Sequence, residues 1–143
     1  MPVPPGGFAD ALPRLVADQL KSYWHQPVLI ENRPGAALNI GAEAVAKAEP
    51  DGYTLLATPA GPLVTNRFLF RKLSFDPDAF VPITVLAKGP FLLLARRNLP
   101  VSSLSDLIAY AKANPGKLTF ASSGKGSPPH LAMELFQSKA GIR

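Results

Sequence analysis

The sequence predicts an α/β fold built around a parallel sheet. Three observations carry this. Short apolar runs alternate with amphipathic stretches of helical period along the chain. Nearly every change from one to the other is marked by proline or glycine, as at Pro50-Asp51-Gly52 and Asn114-Pro115-Gly116. And a small-residue loop followed by a helix start recurs three times, at Pro5-Gly6-Gly7, at Thr58-Pro59-Ala60-Gly61 and at Ser122 to Ser127.

The first helix is expected over 7–24, with Leu12, Leu15, Val16 and Leu20 on its apolar stripe. Pro13 fits there only if it lies in the first turn, where its missing N–H costs little. Val28-Leu29-Ile30 is a short run suited to a buried strand, and Asn32-Arg33-Pro34-Gly35 is a turn. A second helix is expected over 39–48, with Ile40, Ala44, Val45 and Ala48 facing inward. A strand follows at 53–58, and a short helix over 63–70. Asp76-Pro77-Asp78 turns the chain into two further apolar runs, 81–87 and 91–96, both read as strands. Ser103 stands in the capping position of a helix, with Asp106 three residues on and Leu104, Leu107, Ile108 and Ala111 as its inner face. A strand at 118–121 leads into the polar loop Ser122-Ser123-Gly124-Lys125-Gly126-Ser127, and Pro128 or Pro129 opens the last helix, which carries Leu131, Met133, Leu135 and Phe136.

Composition narrows the function. With 47% hydrophobic and 17% charged residues and a mean hydropathy of +0.12, the chain has the balance of a protein that buries a core. The net charge of +5 is dispersed; Arg71-Lys72 and Arg96-Arg97 are the adjacent basic pairs. A nucleic-acid binder concentrates such charge in a patch or stripe, so no nucleic-acid partner is expected. There is no cysteine, hence no disulfide and no thiolate metal site. No apolar stretch reaches the length of a membrane span, and no signal peptide is recognisable at the N-terminus.

The three loops are the candidate sites. Ligands of open α/β sheets bind beyond the carboxyl ends of the strands, where such loops gather, and helix N-termini there present unpaired N–H groups and partial positive charge. The 122–127 loop is not a Walker A loop, because Gly126 follows Lys125, and it lacks the G-x-S-x-G spacing. An anion-binding nest with hydroxyl donors from Ser122, Ser123 and Ser127 fits it, and so does a plain solvated turn. His130 has no nucleophile or orienting carboxylate nearby in sequence, so a hydrogen bond to the loop backbone is the preferred reading. Two isolated histidines give no metal-site spacing, and no cofactor fingerprint is present. Asp10 falls where a carboxylate is favoured by the helix dipole; its functional reading is contact with a ligand donor group. Turn and cap chemistry is preferred for Asn32, Arg33 and Asn39.

Taken together, PPGGFAD, QPVLIENRPGAALNIGAEAVAKAEPDGYTLL and LIAYAKANPGKLTFASSGKGSPPHLAMELF resemble the Bug family, the extracytoplasmic solute receptors of tripartite tricarboxylate transporters. The resemblance runs over nearly the whole chain. It implies a periplasmic-binding-protein-like two-lobed α/β fold of type II, a small carboxylate ligand (a di- or tricarboxylate, an acidic amino acid or an aromatic acid), membrane transporter subunits as partners, a periplasmic location, and neither cofactor nor enzymatic activity. By motif position it implies ligand contacts from Gly6, Gly7, Phe8, Ala9 and Asp10, from Thr58, Pro59 and Ala60, and from Ser122, Ser123, Gly124, Gly126, Ser127 and His130. Family members are roughly twice as long, so the expectation is an incomplete receptor: lobe one over 1–95, its first strand reduced to Met1-Pro2-Val3-Pro4, and the start of lobe two over 96–143. Uncovered strand edges imply self-association. The competing reading is an α/β enzyme holding a phosphate or carboxylate at the Ser122–Ser127 loop, for which no nucleophile is visible. A regulator's effector domain would need a DNA-binding helix pair that this chain has no room for.

Overall fold

In the computed structural model, residues 1–142 are described; Arg143, within the expected first part of lobe two, lies outside them. The chain divides into two compact units, Met1–Lys88 and Gly89–Arg143.

The first unit opens on a tight turn and a long helix, α1 (Phe8–Trp24). The helix runs through Pro13, its sixth residue, rather than keeping it in the first turn. The ring removes one main-chain bond to Ala9, and the buried position of Pro13 sets burial against that loss. Asp10, Pro13 and Ala17 form the buried face, at spacings of three and four, while Leu15 and Val16 are exposed. The expected apolar stripe is therefore rotated toward smaller residues.

Residues 1–3 were expected to hold no strand. They make two main-chain hydrogen bonds of parallel pattern without forming a strand: the Met1 amine donates to the carbonyl of Glu31 and the Arg33 N–H donates to the carbonyl of Met1 at 2.7 Å. Pro2 is fully buried, and its ring lies so close to Gly41 that a Cβ there would come within 2.8 Å. Glycine is what lets the second helix approach.

That helix, α2 (Asn39–Ala46), is two residues shorter than expected. Its buried residues are Asn39, Gly41 and Ala42, and Ile40 is exposed. It is entered by a feature that composition does not announce. Ala36, Ala37 and Leu38 all have left-handed backbones, with φ of 47°, 52° and 75°, following Gly35 at 123°. Past residue 58 the chain makes a π-helical turn, Gly61–Thr65, that runs directly into α3 (Asn66–Leu69), and the left-handed turn packs against it.

In the second unit, α4 (Leu104–Ala113) starts as expected: the Ser103 hydroxyl accepts from the Asp106 N–H at 3.1 Å. Asp106 in turn accepts from the N–H and hydroxyl of Ser102, one residue earlier than a standard capping box. Pro128 opens α5 (Pro128–Ala140), which ends on Gly141 at φ 63°.

The expected strands differ. The segments 28–30, 53–58, 81–87, 91–96 and 118–121 are not helical, and among the described residues none joins a β-ladder. A strand is completed by a neighbour's backbone, and among the described residues these segments find none; the Met1 hydrogen bonds fall just past the first of them, at Glu31 and Arg33.

Candidate functional site

The first loop is organised by Asp10. The residue is 3% exposed and its carboxylate accepts four hydrogen bonds. Oδ2 receives the Gly6 N–H at 2.9 Å and Arg14 Nε at 3.0 Å; Oδ1 receives Arg14 Nη2 at 3.0 Å and Asn32 Nδ2 at 2.8 Å. Arg14 first, then Asn32 and Gly6, hold the Asp10 carboxyl far below the usual carboxylate range. Asn32 is itself tied at both ends: Nδ2 also donates to the Val3 carbonyl at 2.9 Å, and Oδ1 accepts from Arg14 Nη2 at 2.7 Å. Gly6, at φ 94°, makes the turn that brings its N–H to the carboxylate.

The start of α1 is left with open donors. The N–H groups of Asp10 and Ala11 both go to the Gly7 carbonyl at 2.9 Å. Those of Gly7, Phe8 and Ala9 meet no acceptor among the described residues, and Gly7 supplies no side-chain cap. Three consecutive free N–H groups thus stand at the positive end of a 17-residue helix.

At the second loop, Thr58 turns its hydroxyl onto the Pro59 carbonyl at 2.9 Å, and the Ala60 carbonyl accepts from Leu63 and Val64. Thr58 and Pro59 are half-buried and Ala60 is exposed. Beneath this loop lies Asn66, 0% exposed, whose Nδ2 donates to the Ala37 carbonyl at 2.8 Å and to Asn39 Oδ1 at 2.6 Å; its Oδ1 has no partner.

The third loop spends much of its donor capacity on itself. Gly124 N–H goes to the Ser122 hydroxyl at 3.3 Å, Ser127 N–H to the Gly124 carbonyl at 3.1 Å, and Gly126 N–H to His130 Nδ1 at 3.4 Å. Pro128 and Pro129 have no N–H to offer. The Ser122 hydroxyl also donates to the Gly124 carbonyl at 3.5 Å. What remains among the described residues is the N–H of Ser122, Ser123 and Lys125 and the hydroxyls of Ser123 and Ser127, of which Ser127 Oγ is buried without a partner. His130 makes the loop hydrogen bond preferred from the sequence; its Nε2 lies 3.7 Å from Glu134 Oε1.

Asp10 and Gly6 are thus brought together, as are Ser122 with Gly124 and Gly126 with His130. Arg14 and Asn66 are the residues that sequence reasoning left out, and Asn32, for which turn chemistry is the expectation, instead bonds Asp10, Arg14 and the Val3 carbonyl. The i,i+4 spacing of Asp10 and Arg14 was a readable signal; the two asparagines act over separations of 22 to 29 residues and gave none. Among the described residues, no cluster of three metal-ligating side chains is found, and no helix is long and apolar enough to cross a membrane.

Comparison with known proteins agrees with this architecture. The chain is 38% identical to BugT of Bordetella pertussis over 143 residues, covering 99% of this chain and 44% of that protein. It is 36% identical to a UPF0065 protein from the tcbD–tcbE intergenic region of a Pseudomonas species, covering 42% of it. The chain therefore spans under half the length of the curated relatives it matches. A solved R. palustris protein with adipate superposes with a TM-score of 0.90 at 40% identity, over 99% of this chain and 48% of that one. MatC from Rhodopseudomonas palustris, with bound malate, gives 0.84 at 34% identity, over 99% and 49%. A third, described as a periplasmic transporter, gives 0.80 at 31% identity. The chain accordingly has the two-lobed, periplasmic-binding-protein-like α/β fold, present over about half the extent of those structures. The model of the tripartite tricarboxylate transporter family receptors matches residues 12–143, and the chain belongs to that family.

Proposed function

We propose that this chain is part of an extracytoplasmic receptor that captures a small carboxylate and presents it to membrane subunits of a tripartite transporter. The observation that carries this is the set of open N–H groups at Gly7, Phe8 and Ala9. They offer charge-assisted hydrogen bonds to a carboxylate without a metal or cofactor. The nearby negative charge of Asp10 does not oppose an anion, because Arg14 pairs with it. Two solved relatives hold dicarboxylates, adipate and malate, which is the same ligand chemistry.

Thr58, Pro59 and Ala60 complete the ligand face of a first lobe over 1–95. The second lobe, from residue 96, contributes Ser122, Ser123, Gly124, Gly126, Ser127 and His130. The N–H groups of Ser122, Ser123 and Lys125 and the hydroxyls of Ser123 and Ser127 are the donors this loop has left for the ligand, with the orphaned Ser127 Oγ first among them. Capture needs no bond to be made or broken, so the protein is not an enzyme, and its place of work is the periplasm.

The test is titration of the 15N-labelled chain with adipate, malate and citrate, followed by amide chemical shifts. Saturable shifts at Gly7, Phe8 and Ala9, with smaller ones at 122–127, are expected. Shifts confined to other segments, or none with any of the three acids, would remove the carboxylate reading while leaving the family assignment intact.

A further inference from the structure

We infer that Asp10, Arg14 and Asn32 form a positioning cluster for the Gly7–Ala9 donors, and that Asp10 itself receives no group of the ligand. The inference rests on the proposed carboxylate-binding role of that loop. It also changes the role that motif position alone assigns to Asp10.

The geometry accounts for every acceptor site of the carboxylate. An ionised carboxylate has about four lone-pair positions. Gly6 N–H, Arg14 Nε, Arg14 Nη2 and Asn32 Nδ2 fill them at 2.8 to 3.0 Å. With the residue 3% exposed, a ligand ammonium or hydroxyl would have to displace one of these donors and leave it unpaired.

The same bonds determine what the loop offers. Gly6 gives its N–H to Asp10, which pins the turn and leaves the following three N–H groups as the open set. Asn32 connects the carboxylate to the Val3 carbonyl, so the main chain before the loop and the first turns of α1 are held by one amide. Arg14 binds both the carboxylate and the Asn32 oxygen, closing the cluster and neutralising its charge. A loop held this way is ordered before ligand arrives, which lowers the entropic cost of binding. Its selectivity is for the carboxylate common to ligands with and without an amino group.

Succinate and aspartate separate this from direct contact, since they differ by one ammonium group. In the 143-residue chain, Asp10→Asn is expected to weaken both by the same factor, about tenfold, and to speed amide hydrogen exchange at Gly6, whose N–H is held by Asp10, without changing α4. Arg14→Met, which leaves the carboxylate its Gly6 and Asn32 donors, is the milder variant should Asp10→Asn fail to fold. It is expected to produce the same pattern in smaller measure. Loss of aspartate binding with succinate unchanged would make Asp10 a ligand contact and overturn the inference. Unchanged exchange at Gly6 in both variants would overturn it too, with or without ligand. If the unsubstituted chain binds neither acid, the proposed function fails, and the exchange measurement still decides whether the cluster orders the loop.

Discussion

Arg14, Asn32 and Gly6 all donate to the Asp10 carboxylate, and each donation favours its charged form. Its pKa in the folded chain therefore lies below that in the unfolded chain. A carboxyl depressed in this way contributes stability above its unfolded value, near 4, and loses that contribution as the pH falls further. Asp78, lowered by Arg67, and Asp106, lowered by Ser102 and Ser103, act in the same direction from the surface. The thermal midpoint is thus expected to be level from pH 7 to about 5 and to drop below about 4. In Asp10→Asn the midpoint is lower at neutral pH and the acid limb shallower, with Asp78 and Asp106 keeping part of it. Parallel acid limbs in the two proteins, followed by circular dichroism, would show that Asp10 is not stabilised as a charge. The position of this carboxylate at a helix start was legible in the sequence. Arg14, four residues on, was readable as its partner; Asn32 was not, because it reaches Asp10 only through the folded chain.

Helices were the legible elements for a related reason. The bonds of α1, α2, α4 and α5 close within four residues, so capping residues, period and proline placement largely specify them. The left-handed turn before α2 depends on its surroundings instead. Three successive non-glycine residues at positive φ cost about 1–2 kcal/mol each, and tertiary bonds must hold them. Asn66 does so, by donating to the Ala37 carbonyl and to Asn39 from a fully buried site. Two substitutions test this from opposite sides. Ala37→Gly relieves the backbone and gives back part of the gain as unfolded-chain entropy, for a net stabilisation of about 0.5 kcal/mol. Asn66→Ala leaves the Ala37 carbonyl and Asn39 Oδ1 without their donor and opens a small void, for a loss of about 2 kcal/mol. Urea midpoints measure both. A destabilised Ala37→Gly, or an Asn66→Ala as stable as the parent, would mean that this turn is not strained and braced as described.

For the whole molecule, the apolar runs are the main unmet demand. The run 81–87 was readable as a strand from its composition, but a sequence does not say which backbone will pair with it. In the structure its main-chain groups have no backbone partner among the described residues, and Val81, Ile83 and Val85 are 86%, 77% and 70% exposed. In the second unit, Phe91, Leu92 and Leu94 are exposed as well. A segment that is β-prone, apolar and unpaired is a template for pairing with another chain. Self-association of this chain through 81–87 is therefore proposed. It would satisfy two needs together, since the main-chain donors gain partners and the odd-numbered side chains leave water. Each residue of that face contributes about 1.5–3 kcal/mol on full burial. Lysine at two of these positions keeps the backbone able to pair but makes burial of the face unfavourable. The weight-average mass by sedimentation equilibrium is expected to rise with concentration for the parent chain. For Ile83→Lys combined with Val85→Lys, it should stay at that of a monomer. A parent that remains monomeric across the same concentrations and melts cooperatively would show that the face tolerates water, and association through 81–87 would be wrong. A variant that associates as strongly as the parent would move the contact elsewhere, with the exposed run of the second unit the next segment to substitute.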